Sequence, residues 1–593
     1  MRYNEVLSPL TSRPKRYDIA AFDIEGVGGE DGFVSGTIYD PASVLHTNNR
    51  QHFIDELCSR RYEGWRLYAH YLTYDFGMLL PYLRADYVAR LMRGKIFKVV
   101  IDIGLRHNVV LADSLGMFAN LPLEAVGKAI GLPKYPTPPS LLPAGSKVEE
   151  WHCKAHGKLW CERCYNVRDA EIVQKGMAML QDTLLDLGSD LHNTLASTAM
   201  ALFRRVYLTE EYKRPPPFRN DFARLGYYGG RVEPYVLGRW QGVNYYDFHS
   251  LYPSVMLNQE YPDPNYLRGP CANSDPRYIY EYEGLSEVEV EASPMHIPIL
   301  PLRARGKLYF PVGRMRGVWT HAELRYALSH GYKLKSVYRT MYSTKTCNPF
   351  KPYVNALWTL RQAAKRDGVA TELVYKIMLN SLYGKFGQGR HSALETLVEI
   401  EDVSEDMPLT GFEIMTILDR LYLRKPVKTV DDPAYVIVPW AAYITSYARM
   451  ALHRQMEAVD YKVMYTDTDS LFVERPLPTG DGLGQLGAKA LDVQAEFLAP
   501  KMYRYIGTHG EPIDVCKGVP AEYRAAYFSN KEVEFAKAVG ILEAAVRKLT
   551  PCEWVNVTRV MRETDPKREY YRQRGLPEGV YLSRPFDVAR LPL

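Results

Sequence analysis

Tyr465-Thr-Asp-Thr-Asp-Ser470 sets two carboxylates one residue apart between the apolar runs Val463-Met464 and Leu471-Phe472-Val473. Flanks of this kind predict a β-hairpin with both acids at its tip. A polar turn is the plain alternative, and a calcium loop would need a glycine and a terminal Glu that this stretch lacks. Upstream, Tyr246-Asp-Phe-His-Ser-Leu-Tyr-Pro-Ser254 reads as an apolar strand that delivers Asp247 into a tight turn closed by Pro253. Between the two, Lys376, Asn380 and Tyr383 fall at i, i+4 and i+7, on one face of a helix. A cation and an amide on a helix, opposite paired aspartates, suit a triphosphate held between Lys and two Mg²⁺.

A second set of acids lies nearer the start. Asp23 and Glu25 are two apart on a predicted strand over 18–25, so both leave the same face. Asp75 follows an aromatic in Tyr74-Asp75-Phe76-Gly77. Asp169 stands four residues after Tyr165 on a predicted helix over 165–187 and shares its face. Four carboxylates at one point repel each other unless divalent cations sit between them. Two Mg²⁺ about 3.5–4 Å apart can activate a water and stabilise the leaving oxygen of a phosphodiester.

Composition narrows the rest. At 593 residues, 46% hydrophobic and 24% charged, the chain is neither disordered nor one ordinary domain. A net charge of +5 neither demands nor excludes nucleic acid. The excess of Tyr (45) over Phe (19) suits a groove for single strands, but composition alone favours ordinary half-buried packing. Eight cysteines are too few for a disulfide framework, so a reducing compartment, the cytoplasm, is expected. No secretory leader is visible at Met1-Arg2-Tyr3. The most apolar stretch, Tyr435 to Tyr447, falls short of about 18 residues and reads as a buried element, not a membrane span.

Cys153-x2-His156-x4-Cys161-x2-Cys164 ends immediately before Tyr165. Two ligand pairs at this spacing match a tetrahedral zinc site that would staple the Asp169 helix. Reduced, partly buried thiols beside a surface His are the other reading, and both stay open here.

The polymerising motifs resemble those of the family B DNA polymerases: motif A as Asp247-Phe-His-Ser-Leu-Tyr-Pro253, motif B as Lys376-x3-Asn-Ser-x-Tyr-Gly384, and motif C as Tyr465 to Ser470. Asp23, Glu25, Asp75 and Asp169 resemble the exonuclease motifs of proofreading polymerases. More narrowly, the compact length, Tyr227-Tyr-Gly-Gly230 and Lys501-Met-Tyr503 resemble the protein-primed branch of phages, linear plasmids and adenovirus-like viruses. The implied fold is a multidomain α/β and α+β chain. A ribonuclease-H-like exonuclease domain fills 1–190, palm fills 191–254 and 434–500, fingers 351–385 and thumb 501–593. Insertions fill 255–350 and 386–433.

The resemblance also implies roles. Asp247 and Asp469 would hold Mg²⁺ with support from Asp467, while Asp23, Glu25, Asp75 and Asp169 hold the second pair and Tyr165 orients the water. Ser250, Leu251 and Tyr252 would cradle the dNTP, with Tyr252 excluding a ribose 2′-OH. Arg361, Lys365 and Lys376 would neutralise phosphate, and Asn380 and Tyr383 would line the nascent pair. Tyr227, Gly229, Gly230, Ser114, Leu115, Lys501 and Tyr503 would touch DNA. Expected partners are template and primer DNA, dNTPs and a terminal protein, with the chain itself a monomer. Tyr71 stands where the family has Asn, which puts editing efficiency in question. The family's exonuclease lysine has no clear counterpart, Lys134 being the nearest candidate. The first insertion carries Arg303, Arg305, Arg314, Arg316 and Trp319, a mixture that suits the terminal protein. The second runs from acidic Glu399-Ile-Glu-Asp402 to basic Arg420 and Arg424-Lys425, as a hairpin with one face toward DNA would.

Overall fold

The computed structural model describes residues 5–26, 32–104, 107–142, 148–390, 394–400, 413–426, 432–561 and 566–591. Glu401 and Asp402, the acidic end read in the second insertion, lie outside the described residues.

Ile19–Gly26 is the pivotal strand of the N-terminal sheet, parallel to Arg66–Ala69 and antiparallel to Phe33–Tyr39. Both of its faces are covered. Ile19 and Ala21 join a core containing Ile172, Val173 and Met177 of helix Glu162–Asp186. Ala20, Phe22 and Ile24 join another containing Phe53, Leu72 and Phe76. Successive strand residues face opposite ways, so a strand between two helical layers needs a continuous apolar run.

The sheet has ten strands, and three of them come from the second insertion: Leu394–Ile400, Arg420–Pro426 and Glu413–Ile417 continue it beyond Tyr87–Met92. Glu413–Ile417 and Arg420–Pro426 form the expected hairpin, and it is built into the edge of this sheet. Arg90 donates to Thr396 Oγ1 at 2.6 Å, and Tyr87 donates to the Tyr422 hydroxyl at 3.0 Å. Arg420 donates to the carbonyls of Leu80, Pro81 and Leu83, and Arg424 pairs with Glu395 and Glu413. Both arginines are engaged within the protein. An open sheet edge offers a row of unpaired amides and carbonyls, and the insertion covers it.

The central sheet is antiparallel and runs Val232–Pro234, Val463–Asp467, Ser470–Val473, Val236–Phe248, Leu486–Ala499, Met502–Ile506, Pro512–Cys516. Helix Val438–Ala458 lies in the core with Trp440 and Tyr443 fully buried, as read from the apolar stretch there. Within the range read as thumb, the strands Met502–Ile506 and Pro512–Cys516 continue this sheet. Beyond them come helices Ala521–Asn530 and Ile541–Arg547 and the ribbon Glu532–Ala538 with Trp554–Val560. Tyr581–Arg584 then returns to pair with Val236 and Leu237.

The first insertion contains an antiparallel sheet of Leu267–Ala272, Lys333–Ser343, Glu283–Ala292 and Gly313–Thr320. Trp319 is fully buried there, its indole donating to the Pro301 carbonyl at 2.8 Å, so it is a core residue and not an interface anchor. Arg314 and Arg316 pair with Glu289 and Glu287 on the neighbouring strand. Helices Lys351–Asp367 and Thr371–Ser381 part at Gly368, whose φ of 64° is the left-handed cap glycine tolerates. Among the described residues no helix is long and apolar enough to cross a membrane.

Candidate active sites

Motif residues of the palm converge because three strands end together. Asp247, near the end of Val236–Phe248, is registered opposite Ser470. The hairpin turn holds Asp467, Thr468 and Asp469, with Thr468 at φ 67°. The Phe248 amide donates to the Asp469 carbonyl at 2.8 Å, which locks the two motifs side by side. Burial first, then the charge of Asp247, pushes the Asp469 carboxyl up to about 6. Burial also raises Asp247, against the pull of Lys489, whose ammonium lies 3.4 Å from Asp247 Oδ2. Lys501 donates to Asp467 Oδ1 at 2.6 Å.

Ser250 has φ 56° and caps helix Leu251–Asn258, so the helix begins four residues after Asp247. Such a terminus is a natural cradle for phosphate oxygens. Arg361 reaches across from the fingers, donating to Ser250 Oγ at 3.2 Å and to Glu372 at 2.7 Å. Lys376 and Asn380 are exposed on the second fingers helix, and Lys376 bears electrostatically on Asp247. Lys365 is exposed in the last turn of the first. Tyr252 and Tyr383 stack.

Tyr503 departs from expectation. Only 5% exposed, it packs on Tyr465, Phe472 and Tyr505 inside the palm, because alternate residues of Met502–Ile506 face that core. Tyr227 is half-buried and its carbonyl accepts from Arg303 at 2.9 Å. Gly229 has open space where a Cβ would be, whereas a Cβ on Gly230 would come within 2.7 Å of Thr468. Arg449 donates to the carbonyls of Tyr228 (2.9 Å) and Gly229 (3.0 Å), and pairs with buried Glu323.

In the N-terminal domain, Asp23, Glu25 and Asp169 bring carboxylate oxygens within 4.8 Å of one another. Asp75 is not in that group, and its Oδ1 accepts the Ile24 amide at 3.0 Å. Burial, then the charges of Asp23 and Asp169, pushes Glu25 well above the usual carboxylate range. Burial lifts Asp169 to about 7, although Lys134 opposes the rise. Lys134 pairs with Asp169, and its ammonium sits 4.4 Å from the Tyr165 ring centroid. The Tyr165 hydroxyl meets Thr137 at 3.1 Å. Asp169 Oδ1 is buried with no hydrogen-bond partner. An orphaned acceptor among repelling carboxylates fits a divalent cation.

Ser114 is fully buried, bonding the Ala69 carbonyl and the His70 ring at 3.1 Å each, which removes it from any strand-contacting surface. Leu115 stays half-buried. Tyr71 caps the Asp75 helix at φ 84° with its ring 37% exposed. The motifs alone did not show Lys489 or Asn166. Asn166 donates to Asp23 Oδ2 at 2.6 Å, and its spacing of three from Asp169 was a readable signal. Lys489 belongs to no motif and reaches Asp247 only through strand pairing.

Sγ of Cys153 and Cys164 lie 3.5 Å apart, and His156 Nδ1 is 3.5, 3.5 and 3.2 Å from Cys153, Cys161 and Cys164.

The N-terminal sheet thus bears one carboxylate cluster and the central sheet another. The family model described as DNA polymerase type B, organellar and viral, matches residues 164–413. A probable DNA polymerase of Neurospora intermedia is 23% identical over 518 residues, 75% of this chain and 52% of that protein. The DNA-directed DNA polymerase of Enterobacteria phage PRD1 is 25% identical over 513 residues, 83% of each. The chain thus spans about half or less of the fungal relatives and most of the phage one. In fold it matches the solved Phi29 DNA polymerase, with a TM-score of 0.68 at 17% identity, over 92% of this chain and all of that one.

Proposed function

We propose that the chain is a DNA-directed DNA polymerase that starts from a terminal protein and carries a 3′→5′ exonuclease. The observation that carries this reading is the pairing of two separate carboxylate centres, each with a cation and a phenol beside it. In the palm, Asp247 and Asp469 would hold Mg²⁺, with Asp467 held in place by Lys501. When bound, Mg²⁺ would lower the pKa of the attacking hydroxyl and neutralise charge on the departing pyrophosphate. The chain's own residues bind and orient: the amides after Ser250, with Arg361 and Lys376, grip the triphosphate. Tyr252 on Tyr383 walls off the sugar.

In the N-terminal centre, Asp23, Glu25 and Asp169 would hold the ions, and Asp75 adds charge close to Asp23. Lys134 and Tyr165 lie where they can orient a water and balance charge on the leaving oxygen. The cysteine cluster matches a zinc ligand set. Likeness to the phage PRD1 polymerase over most of both chains agrees with protein priming; a host cytoplasm and a monomeric state complete the proposed reading. The test is twofold: primer extension with Mg²⁺ and dNTPs, and attachment of dNMP to a candidate terminal protein with no nucleic-acid primer. Extension without attachment would leave a polymerase of ordinary priming. Failure of both would overturn the reading.

A further inference from the structure

Residues 134–164 connect the exonuclease-type sheet to the helix that carries Tyr165 and Asp169, and almost nothing regular holds their described part. It has one 3₁₀ turn, Pro139–Leu141, and a ribbon of His152–Cys153 with Lys158–Leu159. Apart from Pro138 and Leu141, its buried residues are Cys153 and Cys161. So little apolar burial cannot by itself order a connection of this length.

The cluster supplies what burial does not. The four ligand atoms of Cys153, His156, Cys161 and Cys164 all lie within 4.8 Å of one another. Ligands about 2.3 Å (S) and 2.0–2.1 Å (N) from a tetrahedral zinc stand roughly 3.5–3.8 Å apart, and the edges of 3.2–3.5 Å here are close to that. All three cysteines are free thiols, and 3.5 Å between Cys153 and Cys164 is far from a disulfide's roughly 2.05 Å. Cys161 caps helix Glu162–Asp186 with its side chain making no cap hydrogen bond, and Cys164 stands in the first turn.

Two paths run from the cluster to the carboxylates. Along the helix, Cys164 precedes Tyr165 and Asn166, and Asn166 holds Asp23. Through the ribbon, Trp151 precedes His152 and Cys153, its carbonyl accepts the Trp160 amide at 2.9 Å, and its ring stacks on Tyr135 at 4.2 Å and 20°. Tyr135 accepts from Arg168 at 2.8 Å and is the neighbour of Lys134, the partner of Asp169.

We propose that Cys153, His156, Cys161 and Cys164 bind one structural zinc ion, and that this ion braces Lys134, Tyr165 and Asp169, making editing zinc-dependent while synthesis is not. The functional half rests on the exonuclease reading above. The four ligands are positioning residues, since none touches a reacting atom.

The full chain, purified without chelator, should contain one zinc per molecule by elemental analysis. Cobalt replacement should give the visible d–d bands of a tetrahedral thiolate site. Cys161→Ser should lose the metal and at least tenfold of its rate on single-stranded DNA, while primer extension stays within twofold and reports an intact fold. Trp151→Ala, which removes no ligand, should keep its zinc and still lose several-fold in degradation. Metal-free wild-type protein without the cobalt signature, or a Cys161→Ser variant that degrades at the wild-type rate, would overturn the proposal. A zinc-bound wild type that degrades nothing, unaltered by Asp169→Ala, would instead overturn the exonuclease reading, and the zinc content would still decide the site.

Discussion

Tyr252 and Tyr383 stack at 4.3 Å between ring centroids and 11° between planes, one from the first turn of helix Leu251–Asn258 and the other just beyond helix Thr371–Ser381. Two elements distant in sequence thus share one aromatic wall beside Asp469. Tyr252→Val should admit ribonucleotides, because specificity of this kind comes from a clash built against the wrong substrate. Relative rNTP and dNTP incorporation measures it, with an expected gain of tenfold or more for rNTP. An unchanged ratio would take Tyr252 out of the gate.

Asp247→Asn or Asp469→Asn should abolish synthesis and spare 3′→5′ degradation, since each variant alters one carboxylate centre only. Asp23→Ala or Asp169→Ala should do the reverse. Losses of about 10³-fold or more are expected when a ligand leaves a two-metal site, at about 1.4 kcal/mol per tenfold. Parallel loss of both activities in a folded variant would count against two independent centres.

The Asp169 carboxyl stands near 7 in the metal-free fold against 3.8 for an ordinary Asp, chiefly through burial. Between those values the folded chain holds a proton that the unfolded chain releases. Its stabilising contribution is therefore complete below about pH 4 and lost as pH rises through about 7. Mg²⁺ binds the ionised carboxylate, so the Tm increase it produces should be larger at pH 8 than at pH 5.5. Asp169→Asn should reduce that difference. Equal Mg²⁺ shifts at both pH values in the wild type would contradict the assignment.

Arg449 and Glu323 form an ion pair with side chains 3% and 1% exposed, and Arg449 also holds the Tyr228 and Gly229 carbonyls. Arg449→Met should destabilise by about 3–5 kcal/mol, because it strands a buried carboxylate. Denaturant unfolding would show it. Glu323→Gln with Arg449→Met together should cost less than Arg449→Met alone; an equal or greater cost would mean the pair is not the source.

Excising 404–429 would remove Glu413–Ile417 and Arg420–Pro426 from the sheet edge, including buried Ile417 and Tyr422. Such a deletion should lower the stability of the N-terminal domain and reduce degradation as well as product length. Single-encounter extension and single-strand hydrolysis on the same preparation check it. Full-rate hydrolysis by the deletion variant would show that the added strands are dispensable to that domain.

The sequence determined the chemistry-bearing elements, because their signals are local. Apolar runs ending in Asp23, Asp247 and Asp467 became strands, the 3.6-residue spacing through Tyr165 and Asp169 became a helix, and Asp367-Gly368 separated the two fingers helices. The cysteine spacing likewise drew four ligand atoms together, since two short loops can close over one point. Pairings between distant segments were decided only by tertiary structure. Whether Arg420 and Arg424 face DNA, or whether Tyr503 points outward, depends on which strand lies alongside and which face is covered, and no window of sequence contains that. The edge at Tyr87–Met92 captured strands more than 300 residues away. Trp319 entered a core, and Lys489 met Asp247 across a register shared by two long strands. A period of two residues tells that a side chain alternates. Only the packed sheet tells which side is inside.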